Sequence, residues 1–130
     1  MAIIDVNKNI EAVRGNKLPL TIRAKVKDDG SLRLFEPNDI VRFKVMVKSK
    51  MDQVMLQKDV EVTELCESVS MLITSEEMKF GSLINKPTEY WYEVELNPDT
   101  PDTITILGYT NKKDGAKILT LLPEGGDKKW

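Results

Sequence analysis

The sequence predicts an all-β domain, an antiparallel β-sandwich of immunoglobulin-like type with about eight strands and one short helical turn. Three observations lead there. Apolar and polar residues alternate in stretch after stretch, Gly, Pro, Asn and Asp gather between those stretches, and no long segment keeps the apolar period of a helix. With 130 residues, 41% hydrophobic and 31% charged, the chain is long enough for one core and too apolar for disorder.

Leu18, Leu20, Ile22, Ala24 and Val26 alternate with polar residues, as in a strand with one face in a core and one in water. Pro19 interrupts only near the start, where a missing ladder N–H is tolerated. Lys27-Asp28-Asp29-Gly30 offers tight-turn chemistry and predicts a hairpin into Ser31 to Phe35. After the Glu36-Pro37-Asn38-Asp39 turn, Val41, Phe43, Val45 and Val47 mark a second strong strand. Gln53 to Glu64 reads as another, and Lys58, standing in phase with its apolar residues, points to an edge or a bulge. Val69, Met71 and Ile73 follow, and Thr74 to Met78 then reads as a short helix start that Gly81 stops. Tyr90, Tyr92, Val94 and Leu96 define a central strand, ended by the Asn97 to Asp102 loop with its two prolines. Thr103 to Tyr109 is dense in β-branched residues, and the Asn111 to Gly115 turn leads into Ala116 to Leu122. The expected organisation is an arm or edge strand over 1–17, the β domain over 18–122 and a flexible tail over 123–130.

The inventory of reactive groups is short. There is no histidine, which removes the usual neutral-pH base and the commonest metal ligand. The single cysteine, Cys66, has no intrachain partner, and Glu64 and Glu67 beside it disfavour a thiolate, so it reads as a packed thiol. No phosphate loop or dinucleotide fingerprint occurs among the scattered glycines. Glu93 and Glu95 are the best carboxylate pair, yet acids alternating with apolar residues describe the wet side of a strand. Asp28, Asp29, Asn97, Asp99 and Asp102 lack the spacing of a calcium loop and read as turn residues. These absences lead us to expect no catalytic residue, no cofactor and no metal. With 19 basic and 21 acidic residues spread along the chain, nucleic acid is not an expected partner, and no apolar run is long enough to span a membrane. The start of the chain lacks signal-peptide character, which predicts folding in the cytoplasm.

What remains is a surface. Trp91 falls in phase with Glu93 and Glu95, outside the apolar set of its strand, where it either anchors a partner or is covered by the Glu76 to Phe80 segment. Met46 and Met55 also fall outside the apolar sets of their strands. Trp91, Glu93, Met46 and Met55 are therefore the candidate interface residues.

The order of elements resembles the small β-sandwich modules of tailed-phage and prophage baseplates, typified by the N-terminal domain of the baseplate upper protein. The residues that carry the resemblance are Arg14-Gly15-Asn16, Leu18 to Val26, Asp29-Gly30, Asn38-Asp39 and Val41 to Val47. Later come Glu76 to Gly81, Tyr90-Trp91-Tyr92-Glu93-Val94, and Thr103 to Gly108. Asn16 and Asn38 stand where the group more often has Asp and Gly. The resemblance implies a non-catalytic virion component that binds other tail or baseplate subunits, associates with itself, and passes from host cytoplasm into the virion. The alternative from another class is a carbohydrate-binding module, for which a β-sandwich with exposed aromatics is an ordinary platform.

Overall fold

The computed structural model describes residues 3–4, 9–25, 32–48, 50–81, 85–101, 103–107 and 117–123. The turns expected at 27–30 and 111–115 lie outside the described residues, as does the tail from residue 124 onward.

The chain is all-β. In order, the strands are β1 (Ile3–Ile4), β2 (Ile10–Val13), β3 (Leu18–Ile22), β4 (Ala24–Lys25), β5 (Leu32–Arg33) and β6 (Ile40–Val47). They continue with β7 (Lys50–Glu61), β8 (Val69–Ile73), β9 (Thr88–Leu96), β10 (Ile104–Leu107) and β11 (Lys117–Leu122). Among the described residues, eleven strands therefore stand against the eight or so expected, and there is no helix. The largest sheet has seven strands in the order β1-β2-β11-β9-β6-β7, with β10 also paired to β9. β3 and β8 form a second, two-stranded sheet, and β4 with β5 a third. Among the described strands, every pairing is antiparallel except that of β11 with β2. The first 17 residues, expected as an arm or edge strand, supply β1 and β2 at one end of the large sheet.

Alternation is what selects the faces. On β3, Leu18, Leu20 and Ile22 are buried while Pro19 and Thr21 are exposed. Their direct partners across the pair are Ile73, Met71 and Val69 of β8, all buried as well. In the large sheet Val41, Phe43 and Val45 of β6 oppose Leu96, Val94 and Tyr92 of β9. These inward sets join with Ile10 and Ala12 of β2 and Leu119 and Leu121 of β11 in one apolar cluster. Burying one such side chain contributes roughly 1.5–3 kcal/mol, so the shared cluster is the main source of stability. Phe43 and Tyr92 meet within it at a ring-centroid distance of 5.7 Å.

The helix start expected at Thr74 goes no further than one turn. The Thr74 N–H donates to Glu77 Oε1 at 2.8 Å and the Glu77 N–H to Thr74 Oγ1 at 3.2 Å, the reciprocal bonds of a capping box. Met78 N–H then bonds the Thr74 carbonyl at 3.0 Å. Beyond this turn the carbonyls at 79–81 accept from Arg14. Its Nη2 donates to Lys79 O at 2.7 Å and Gly81 O at 3.1 Å, its Nε to Phe80 O at 3.3 Å, and the neighbouring Gly15 N–H to Met78 O at 3.2 Å. Met78 and Phe80 are thereby drawn into the core, Phe80 edge-on to Tyr90 at 5.2 Å.

Candidate interaction surface

The strands that place Phe43 and Tyr92 inward must, by the same alternation, turn Arg42, Lys44, Glu93 and Glu95 to the opposite face. Register then sorts that outer face into rows. Arg42 lies between Asp59 of β7 and Glu95 of β9, and Lys44 lies between Gln57 and Glu93. In the next row Val54, Met46, Trp91 and Ile118 are consecutive partners across β7, β6, β9 and β11. An unbroken apolar row thus crosses four strands of an otherwise charged face.

The charges around it are matched locally. Arg42 holds Asp59 through two bonds, Nε to Oδ1 at 2.8 Å and Nη2 to Oδ2 at 3.1 Å, and reaches Asp99 at 3.0 Å. The hydrogen bond to Asp59 is the main reason the Arg42 pKa is raised above its ordinary value, so this cation stays charged at any working pH. Lys44 Nζ lies 3.1 Å from Glu93 and 3.7 Å from Glu95, and Lys48 lies 2.7 Å from Glu89. Sharing one lysine makes Glu93 and Glu95 parts of an ion-pair ladder, in which cross-strand opposite charges stabilise a register. A docking partner could cover the apolar row without supplying counter-charges to these pairs.

Each expected interface residue has a definite place. Trp91 is half-buried, and the Glu76 to Phe80 segment does not cover it, since that segment packs against Tyr90 on the inner face. Glu93 faces outward as expected but is only 7% exposed, enclosed by its pairing with Lys44. Met46, expected at the surface, is 1% exposed. It does point to the outer face, but Trp91 and Val54 stand directly beside it, with Cβ atoms of such partners about 4.5–5.5 Å apart. Met55 is a correction of another kind. The pairing of β6 with β7 shifts between Val45 and Met46, where a bulge adds a residue to β7, and Met55 turns inward to pack against the core. Bulges are not encoded in alternation, so the parity that places Met46 correctly fails for Met55. Val54, read in the sequence with the apolar set of its strand, is turned outward by the same bulge and is 43% exposed, whereas Ile118 was not singled out because its place in the row depends on which strands become neighbours.

At the end of the same sheet, Asn97 ties two loops together. Its Oδ1 accepts from Ile40 N–H at 2.9 Å and its Nδ2 donates to Asp39 Oδ1 at 3.1 Å, with φ at 51°, in the left-handed region that Asn tolerates. Asp39, Asn97 and Asp99 are therefore turn and locking residues, as expected for Asn97 and Asp99. Among the described residues, no group of three or more Cys, Asp or Glu side chains is arranged to hold a metal ion. Cys66 is half-buried against the core, and its backbone exchanges two hydrogen bonds with that of Phe35. No family model, curated protein or solved structure matches this chain.

Proposed function

We propose that this chain is a non-catalytic assembly module that works through protein–protein contacts, self-association among them. The observation that carries the reading is the Val54–Met46–Trp91–Ile118 row, an apolar strip bordered by charges already matched to one another. Large aromatic anchors beside aliphatic neighbours, framed by a polar rim, are the usual anatomy of a protein interface. In this reading the large sheet and the β3–β8 pair are the two layers of an immunoglobulin-like β-sandwich, an architecture supported by the single cluster that their inward residues share. The setting we propose is a phage or prophage tail or baseplate, a reading that rests on the order of motifs from Arg14-Gly15-Asn16 to Thr103–Gly108.

The carbohydrate-binding alternative draws less support. Phe35, Phe43, Phe80, Tyr90 and Tyr92 are all committed to the core, so among the described aromatics only Trp91 is placed to stack on a sugar. Size-exclusion chromatography with light scattering tests the proposal. A defined oligomer at micromolar concentration is the expected result; a monomer throughout, together with glycan binding that disappears in Trp91→Ala, would replace it with the alternative.

A further inference from the structure

The ribbon formed by β6 and β7 does not stop at the sheet. Phe35 pairs with Cys66 in the same register as Ile40 with Glu61, five residues further along each strand, and Val62 N–H bonds Asp39 O at 2.8 Å in between. A turn over 36–39, with Asn38 at φ 77°, interrupts the strand between these pairs, and burial gives the facing: Phe35 and Asp39 are buried while Leu34, Glu36 and Ile40 are exposed. On the opposing segment Leu65 and Glu67 flank Cys66 and are exposed as well.

Three of the five large aliphatic side chains exposed among the described residues lie on this one strip: Leu65 at 61%, Leu34 at 41% and Ile40 at 38%. The charge on it is one-sided. Residues 34–41 and 59–67 contain six acidic residues and no lysine or arginine. Of the six, Asp39 is buried and bonded by Asn97, so it adds nothing to the outer charge. Asp59 is engaged by Arg42, whereas Glu36, Glu61 and Glu67 stand exposed beside the aliphatic groups.

We infer that this outer strip is a docking surface for a basic, aliphatic-bearing segment of a partner protein. Leucine and isoleucine side chains supply the apolar contact, and the carboxylates select cations over anions and repel acidic sequences. The inference rests on the assembly reading above and gives it a second surface, on the ribbon end remote from the Trp91 row.

The test uses the full chain and a short fluorescent peptide alternating Arg and Val, with an Asp and Val peptide as control. Anisotropy is expected to show binding of the first and none of the second. Leu65→Ser should weaken binding about tenfold or more, the scale of losing one interface anchor. Glu67→Gln should weaken it less and flatten its salt dependence. Equal binding by wild type and Leu65→Ser would reduce the effect to diffuse charge attraction and overturn the proposal. Peptide displacement by calcium at low concentration would make the strip a cation site and overturn it too. If Leu65→Ser turns an oligomer into a monomer, the occupant is a second copy and the proposed partner falls. Absence of peptide binding by a wild type that forms the oligomer would sink this inference alone; peptide binding by a strictly monomeric wild type would sink the self-association reading alone.

Discussion

Arg14 is one of three polar or charged side chains that the described structure buries, at 8% exposure, and it spans from the end of β2 to three successive carbonyls at 79–81. Those acceptors have no ladder to fall back on. Replacing it by methionine keeps much of the packing and removes every donor, so Arg14→Met should cost about 2–3 kcal/mol, read as a lower urea midpoint with an unchanged m-value. Glu77 acts through charge. Its pKa is lowered below the ordinary 4.5, first by the Thr74 N–H and then by Lys58, whose Nζ lies 2.9 Å away. A group whose folded pKa is depressed stabilises the fold above its unfolded pKa, and that contribution is lost as pH falls through the folded value. Wild type should therefore lose stability below about pH 4.5, the ordinary value of the group, more steeply than Glu77→Gln does. Equal acid limbs in the two proteins would remove Glu77 from the account.

Strands were legible wherever one face is buried and the other wet, because the period of the sequence is then the period of the backbone. β3, β6, β8 and β9 follow the expected alternation almost residue by residue. Lys58 also kept its promise. It stands in phase with inward residues on the terminal strand of the sheet, and its ammonium reaches Leu72 O and Glu77 at the edge of β8. An inward-pointing lysine of this kind is one of the devices that blunt an edge strand. The position of the bulge in β7, a strand for which Lys58 suggested an edge or a bulge, and the arrest of the Thr74 turn were not legible, since both depend on partners far away in sequence. Gly81 marks where the second of these is enforced. With φ at 72° and a Cβ that would come within 3.1 Å of the Tyr90 hydroxyl, it is a position for glycine alone. Gly81→Ala should destabilise the fold by about 1–2 kcal/mol, seen as a lower melting temperature.

At the scale of the domain, a chain this size hides most of its apolar surface in one cluster, and what it leaves uncovered is the best guide to its work. Composition showed early that no histidine-based site exists, but it did not show where the uncovered surface lies. The apolar row needed the neighbour relations of four strands, and the acidic strip needed the Phe35–Cys66 pairing beyond the ends of β6 and β7. The most direct measurement is sedimentation equilibrium over a range of concentrations, on wild type and on Trp91→Ala, with circular dichroism to confirm that both are folded. The account predicts a reversible oligomer for wild type and a shift of about tenfold or more toward monomer for the variant. Wild type and variant with the same association constant, or a wild type that stays monomeric at every concentration, would contradict it.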